Sequence, residues 1–396
     1  LSEVAAFERA GTVPKDTPEL LADQLAKPEQ GAFRIAEPFD FRLPDAAMAK
    51  SQVRELQSLP VPDYTEFFRT ARKHMRSQGE FESWRLHVPI PMEGSRGCFG
   101  RCDFCNFRLG WAGFRRHDPT EVFARAAAAL RRYGSQRLAF CDYACDTWAE
   151  AYADETLRQG LSFQAFLETR AHHGEDYWIK LALSGVTMLQ FGAEAVVTRL
   201  LRVLRKDTMA IQNLVAQKCL TEMGVRSGTN LITHHPGSTL ADVAETRRVL
   251  GLIGHFQPFA LSRFVLMAGS PLYEGLTEIQ RKDLKRQGAS RFPPALQRYE
   301  ASLGFAAPES LGPSREVRRA WDSFCAWFQR PRTASSLHVT RLAESDLVIT
   351  RRLGQRLESH RLQGAEALVY DACHAGLQAE RIVARTGLDA PEVAAA

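Results

Sequence analysis

Gly97-Cys98-Phe99-Gly100-Arg101-Cys102-Asp103-Phe104-Cys105 gathers three of the chain's eight cysteines within eight residues, at C-x3-C-x2-C spacing. A loop this short aims three thiols at one small volume. Thiolates are soft ligands that suit iron–sulfur clusters or zinc. The count of three is informative. A closed zinc site takes four tetrahedral ligands, whereas a [4Fe-4S] cluster on three cysteines leaves one iron open to another molecule. Disulfide pairing at these separations strains the bridge and leaves one thiol over. Zinc with a fourth ligand such as His117 stands as the alternative.

Hydrophobic residues make up 45% of the 396 residues and charged residues 24%, a globular composition. The length allows one large domain or two to three ordinary ones. No apolar run approaches the roughly 18 residues of a membrane span, and no secretory signal is read at the start. Eight cysteines without such a signal point to a reducing, cytoplasmic compartment. A net charge of +5 is mild, and no basic run with interleaved aromatics marks a nucleic-acid surface. The chain opens on Leu1 rather than Met. It closes on a helix start with an early Pro391, cut off after a turn. Both features predict a piece of a longer protein.

From Trp84 the pattern becomes periodic. Trp84–Pro91 reads as a strand leading into the cysteine loop. Asp118-Pro119-Thr120 opens a helix through Tyr133. Further strands are read at Arg137–Asp142, Ser162–Arg170, Thr187–Gly192, Val225–Thr233 and Pro258–Leu266. Helices separate them at Trp148–Gln159, Tyr177–Ser184, Val196–Leu204, Met209–Met223 and Thr239–Gly254. Strands alternating with helices imply a parallel sheet with right-handed crossovers. A closed eight-stranded barrel needs two more units. The expected fold is therefore α/β, a partial (β/α)6 barrel. In such sheets function gathers at the C-terminal strand ends. The cysteine loop follows the first strand. Asp142 after the second, Glu168 and Arg170 in the third, Gln190 and Glu194 at the fourth, and Asn230 with His234-His235 at the fifth then face it. Each alone reads as structural; their common position sets the group apart.

Residues 1–60 read as a linker with short elements, and Leu59-Pro60-Val61-Pro62-Asp63-Tyr64 as a stiff extended peptide. Thr65–Ser77 reads as a short helix started by Asp63 or Thr65. Beyond Pro271-Leu272-Tyr273 the barrel pattern stops. Residues 275–313 read as irregular with a helix or two. Ser314–Gln329 reads as a helix with Trp321, Phe324 and Phe328 as a core stripe. Leu337–Leu342 and Asp346–Arg351 pair as a hairpin. Gly364–His374 and Gln378–Thr386 are short helices, with Gly387 at the C′ position. Together these predict a small winged-helix-like α+β module. Its basic candidates for DNA are Arg381 and Arg385 alone, so a peptide-binding or structural role is preferred. The expected domains are 1–80, a linker or remnant of a preceding domain; 81–275, the core; and 276–396, the C-terminal extension.

The cysteine spacing, with Phe104 before the last cysteine, resembles the signature of the radical S-adenosylmethionine (SAM) superfamily. The resemblance implies that Cys98, Cys102 and Cys105 hold a [4Fe-4S] cluster. It implies that the open iron chelates the amino and carboxylate groups of SAM, whose reductive cleavage yields a 5′-deoxyadenosyl radical. Other segments are similar to the cobalamin-dependent members, in particular the maturases of ribosomally made peptides. Leu59–Tyr64 resembles the LP.PDY segment that joins their cobalamin domain to the barrel. Gly185–Glu194 resembles their AGV..IQ.GIE strand, and Arg199–Lys206 with Ile211–Leu214 their LLRLMRKGVTALQN helix. Asn230–Gly237 resembles WNLLYGFPGE, and His255–Pro258 resembles HLQPP. Over residues 55–390 the resemblance implies modification of a ribosomal peptide, by C-methylation where cobalamin is supplied. It implies cofactor contacts from Phe104, Asp142, Glu168, Gln190, Glu194 and Asn230, and substrate contacts from Tyr143, Arg170 and His235. The partners it implies are a precursor peptide and an electron donor such as flavodoxin or ferredoxin.

The sequence also departs from that pattern. Cys141-Asp142-Tyr143 stands where many relatives have Gly-Gly-Glu, which leaves Asp142 as the candidate for the SAM amino group. Ala195 replaces the serine of GIES, and His235-Pro236-Gly237-Ser238 stands for FPGE. No D-x-H-x2-G cobalamin-ligand motif is present, so a cobalamin domain either lies outside this chain or was never part of it. Phe104, Phe107 and Trp111 read as a cluster shield or as plain packing. Cys141 and Cys145 read as buried thiols rather than a second cluster site. Two other functions stay open: radical SAM chemistry on a lipid or tetrapyrrole type of small molecule, and a non-catalytic metal-binding regulatory protein.

Overall fold

A computed structural model describes residues 52–111, 113–267, 269–282, 311–330, 335–374 and 376–396. The linker expected up to residue 51, and Pro293-Pro294 and Pro308 of the irregular stretch, lie outside these residues.

Two helices precede the sheet. α1 (Thr65–His74) begins where the Asp63 carboxylate accepts the Thr65 N–H at 2.7 Å. α2 (Gln78–His87) begins at Ser77, whose hydroxyl accepts the Glu80 N–H at 3.1 Å. Phe68 and Phe81 sink into the core, and Trp84 packs against them with ring centroids 5.7 and 5.9 Å away. This corrects the strand expected from Trp84. The alternation of Trp84, Leu86 and Val88 competes with the helical pair Phe81 and Trp84, and the Ser77 cap decides for helix as far as His87. Extended chain starts only at Pro89, which restricts its predecessor to β space.

The sheet region runs as β1 (Pro89–Met92), β2 (Ser95–Arg96), the cysteine loop, β3 (Arg115–Arg116), α3 (Pro119–Tyr133) and β4 (Arg137–Phe140). It continues through α4 (Ala149–Arg158), β5 (Gln164–Thr169), α5 (Glu175–Leu183), β6 (Val186–Phe191), α6 (Thr198–Val203) and α7 (Ala210–Glu222). Then come β7 (Arg226–Ser227), β8 (Asn230–Thr233), α8 (Leu240–Leu252) and β9 (Ala260–Arg263). α3 shows how locally this is encoded. Asp118 caps it, accepting the Thr120 N–H at 2.9 Å; Pro119 sits in its first turn; Gly134 ends it at φ 66°. Such a cap contributes about 1 kcal/mol.

β1, β4, β5, β6 and β7 form one sheet in that order, parallel throughout. Ile90, Leu138, Ala165 and Val186 stand in register across four of its strands, none more than 2% exposed. β8 and β9 form a separate parallel pair. A bridge joins it to the rest: Glu194 N–H donates to the Asn230 carbonyl at 3.0 Å, and Ile232 N–H to the Glu194 carbonyl at 2.8 Å. The single strand expected over Val225–Thr233 is therefore two. The buried Thr229 hydroxyl accepts the Phe191 N–H at 3.3 Å, taking the place of a strand carbonyl. The chain there steps from pairing with β6 to pairing with β9. The array is open, and no closed barrel forms among the described residues.

After β9 come α9 (Pro271–Glu274) and α10 (Arg315–Phe328). Trp321 and Phe324 of α10 are each 1% exposed in the same core as the sheet helices, and Phe328 packs against it, as the stripe predicts. The Trp321 indole donates to the Ser238 hydroxyl at 2.9 Å, closing α10 over the loop after β8. The C-terminal region is an antiparallel sheet of β10 (Ser335–Ala343), β11 (Asp346–Leu353) and β12 (Arg356–Gln363), then α11 (Ala365–Cys373), α12 (Ala379–Thr386) and α13 (Ala390–Ala395). The expected hairpin is there, and β12 is an addition. Its polar sequence is exposed on both faces, so no apolar alternation announces it. The region meets α7: Lys218 Nζ donates to the His374 carbonyl at 2.8 Å. Gly376, at φ 67°, sits so close that an added Cβ would lie 2.7 Å from Val215 Cγ2. No helix among the described residues is long and apolar enough to cross a membrane.

Candidate active site

The cysteine loop is fixed by its backbone. Gly97 opens it at φ 85°, and a Cβ there would collide with the Gly113 carbonyl oxygen. Both demands select glycine. Asp103 N–H donates to the Leu204 carbonyl at 3.0 Å, and Leu272 N–H donates to the Asp103 carbonyl at 2.9 Å. The Arg205 guanidinium adds an ion pair to the Asp103 carboxylate at 3.2 Å. The loop is thus stapled to the end of α6 and the start of α9.

Two backbone donors point at its sulfurs: Gly100 N–H at Cys98 Sγ, 3.3 Å, and Phe107 N–H at Cys105 Sγ, 3.5 Å. Cys98, Cys102 and Cys105 are all half-buried free thiols. Burial raises Cys102, and raises Cys105 to about 11, while Lys206 pulls both the other way. Such thiols stay protonated until a metal takes the sulfur. Gly100 sits between two of the sulfurs: an added Cβ there would lie 3.3 Å from Cys98 Sγ and 3.9 Å from Cys102 Sγ. His117, the alternative fourth zinc ligand, is 3% exposed and faces Arg125, Glu121, Glu93 and Arg96.

Charged side chains surround Cys102. Lys206, Glu194 and Arg170 all act on it electrostatically. Lys206 Nζ lies 3.1 Å from Glu194 Oε1, with the two side chains 10% and 15% exposed. Burial opposes the Lys206 charge, but Glu194 and Cys102 outweigh it and the ammonium is held more firmly than usual. Glu194 reaches back from β6 through a left-handed turn at φ 61°. Gly192 leaves the space, since a Cβ there would collide with Lys206 Nζ. Arg170 lies over the Phe99 ring at 5.1 Å, its side chain 14% exposed. Lys206 is the site residue that strand-end reasoning misses, because it comes from the α6–α7 connection. Its signal is the Arg199–Lys206 segment that carries part of the family resemblance.

A second group lies at the ends of β4, β5 and β6. Asp142 is 2% exposed and accepts from Gly94 N–H at 3.0 Å, the Ser95 hydroxyl and the Trp148 indole at 3.2 Å. Burial pushes its carboxyl up to about 6 against the pull of those donors. Its carboxylate ties the β1–β2 turn to the end of β4. Glu168 is half-buried and raised by burial, with the Asp142 charge adding to it. Gln190 stands opposite Glu168 in register. The Tyr143 ring stacks on Phe107 at 4.5 Å, and its phenol feels Cys105 and Glu168, so it links this group to the cysteine loop.

The other expected residues are spread more widely. Phe104 is half-buried and packs both on the main core and on the small cluster of Ile232, Phe264 and Leu266. Asn230 offers its backbone carbonyl to Glu194. His235 is 3% exposed against the Phe264 ring and held at about 4 by burial. Its Nδ1 accepts the Gly237 N–H at 3.1 Å, and its buried Nε2 has no partner. His234 joins the Thr233 hydroxyl and the Asp322 carboxylate, each at 2.9 Å, which ties β8 to α10. Trp111 lies between the Arg96 and Arg115 guanidinium groups, 4.8 and 5.6 Å from its ring. Cys141 is exposed and Cys145 buried.

Known proteins resemble part of this chain. Residues 92–250, less than half of the chain, match the model of the Radical SAM superfamily. No curated protein matches the chain. A solved structure of the cobalamin-dependent S-adenosylmethionine radical enzyme OxsB, with aqua-cobalamin bound, is 14% identical at a TM-score of 0.49. That match covers 69% of this chain and 44% of OxsB, so the chain spans less than half the length of that relative. The radical SAM methyltransferase TsrM from Kitasatospora setae is 14% identical at 0.42, over 54% of this chain and 39% of that one. Coproporphyrinogen III oxidase (HemN) from Escherichia coli is 12% identical at 0.39, over 79% and 82%. At these scores the three likenesses bear on neither chemistry nor substrate. Across residues 92–250, with all three loop cysteines inside them, the chain resembles the radical SAM superfamily, and that resemblance implies an enzyme using a [4Fe-4S] cluster and S-adenosylmethionine.

Proposed function

We propose that this chain is the catalytic portion of a radical SAM enzyme that modifies a ribosomally made peptide, by C-methylation where cobalamin is supplied. The observation that carries the reading is the loop after β2: three half-buried free thiols on one short loop, with Lys206, Glu194 and Arg170 around Cys102. A [4Fe-4S] cluster on Cys98, Cys102 and Cys105 supplies, when bound, the electron that reductively cleaves the SAM sulfonium.

The chain's own residues do the rest. Gly100 and Phe107 N–H groups steady the sulfurs. Lys206 and Arg170 offset the negative charge that three thiolates bring into a half-buried loop. Glu168, Gln190 and Glu194 offer acceptors to the ammonium and hydroxyl groups of SAM, and Asn230 holds Glu194 in place through its carbonyl. Asp142 serves them as a positioning residue, its carboxylate committed to Gly94, Ser95 and Trp148. Phe104 packs the inner side of the loop against the core, and the Tyr143–Phe107 stack lies beside Cys105 on the open side. Arg170, Tyr143 and the unpartnered Nε2 of His235 are assigned to the substrate.

Two features support a peptide substrate. One is the run of segments similar to peptide maturases. The other is the C-terminal sheet, whose outer strands β10 and β12 are largely exposed and offer backbone edges for an extended chain. The partners are then a precursor peptide and a flavodoxin- or ferredoxin-like electron donor.

The test is anaerobic reconstitution with iron and sulfide, followed by SAM and dithionite. The parent should bind about four irons per chain and release 5′-deoxyadenosine. Cys102→Ala should lose both, and 5′-deoxyadenosine at the parent rate from that variant overturns the cluster assignment. With cobalamin and a peptide encoded beside the gene, the product should gain the mass of one methylene. Turnover of a tetrapyrrole or lipid with none of the peptide would reject the peptide reading alone.

A further inference from the structure

Asp146, in the single turn Cys145–Thr147 after β4, meets His172 and His173, in the loop after β5. One carboxylate oxygen and one nitrogen from each imidazole all lie within 4.8 Å of one another. Asp146 Oδ2 is 3.7 Å from His172 Nε2, too far for a hydrogen bond. The Asp146 side chain is 3% exposed, yet its Oδ1 has no hydrogen-bond partner, and neither has the buried Nε2 of His173. An orphaned buried polar atom is unfavourable, and both Asp146 and His173 of this group carry one. The imidazoles are held in place. The His173 ring stacks on Tyr177 at 3.7 Å and meets the His172 ring at 4.2 Å with a 32° tilt, and the Tyr177 hydroxyl shares a hydrogen bond with Thr169 at 2.9 Å.

We propose that Asp146, His172 and His173 bind one divalent transition-metal ion of the zinc or iron type, separate from the cysteine loop. Nitrogen and oxygen ligands about 2.1 Å from a tetrahedral ion lie about 3.4 Å from each other, close to the 3.7 Å between Asp146 and His172. Arg170 and Lys206 act on Asp146, which places the site on the cysteine-loop end of the sheet. Two histidines and one carboxylate leave coordination positions open, so the ion can take a further group from substrate or solvent.

The test uses the full chain carrying Cys98→Ala, Cys102→Ala and Cys105→Ala, so no loop thiol competes for metal. Equilibrium dialysis against zinc alone, with metal analysis, should give about one zinc per chain, and zinc should raise the melting temperature. Adding His172→Ala, which removes an exposed ring and spares the core, should weaken zinc binding at least tenfold and abolish the thermal shift. Asp146→Asn, which keeps the side-chain shape, should do the same. Zinc uptake unchanged by His172→Ala, or no uptake by the chain lacking the three loop cysteines, overturns the site. Because that protein holds no cluster ligands, neither result touches the radical SAM reading.

Discussion

Replacing Lys206 by Met removes the cation facing Glu194 where both side chains are mostly buried, 10% and 15% exposed. At 3.1 Å and an effective permittivity near 20, their gross attraction is about 5 kcal/mol. Desolvation takes back most of that sum, so the pair adds little net stability. Removing one partner is different, because Glu194 is then left buried and unpaired. That loss is about 3–5 kcal/mol, a large share of the roughly 5–15 kcal/mol that holds a domain together. Adding Glu194→Gln removes the orphaned charge and should restore about 1–3 kcal/mol. The assay is urea unfolding of the cluster-free chain, with the midpoint falling at unchanged slope. A second readout follows from the thiols. Lys206 pulls Cys102 and Cys105 toward the thiolate, so Lys206→Met should slow their alkylation by iodoacetamide at fixed pH. A loss below about 1 kcal/mol with unchanged alkylation would show that Lys206 and Glu194 are solvated, and would refute the charge arrangement around Cys102.

The parts of the fold that sequence reading recovers are those where one residue type has one physical job. Asp118 and Pro119 open α3 by capping and fixed φ, and the structure uses both so. Thr239 and Asp242 cap each other at the start of α8. The cysteine loop is legible because three thiols so close have few uses. Errors come where two periodicities overlap. Trp84–His87 alternates like a strand, yet the Phe81–Trp84 contact and the Ser77 cap make it helix. The break between β7 and β8 hangs on one Thr229 hydroxyl replacing a carbonyl, an event with no pattern in sequence. Site residues follow the same division. Glu168 and Gln190 stand opposite each other near the ends of adjacent strands, where the strand pattern puts them. Lys206 and the Asp146, His172 and His173 group are missed because connections bring them in, and only the folded chain decides where a connection returns.

Gly97→Ala puts a Cβ at φ 85° into the Gly113 carbonyl. It should leave far-ultraviolet dichroism unchanged but cut iron uptake on reconstitution, and parent-like iron content would remove the strain argument. Asp142 allows a sharper test. Its carboxyl is displaced from 3.8 to about 6, burial being the main cause, which corresponds to about 3 kcal/mol. Between those values the native chain holds a proton that the unfolded chain has released. Its contribution is therefore greatest below pH 4 and is lost as pH rises through 6. His173 and His235 work the other way. Both are lowered by burial to about 4, so the native state binds fewer protons than the unfolded one, and stability rises with pH from 4 toward 6.5. In the parent these slopes partly cancel, so the parent curve alone decides nothing. Asp142→Asn removes one titration and leaves the imidazoles in place, and its side-chain oxygen still accepts from Gly94. Subtracting the variant's stability from the parent's at each pH should give a difference that falls by about 3 kcal/mol between pH 4 and 7. A difference that rises with pH would mean that Gly94, Ser95 and Trp148 hold the anion more strongly than burial opposes it. Asp142 would then be a preformed anion at neutral pH, and its role would shift from holding a turn to receiving a cation.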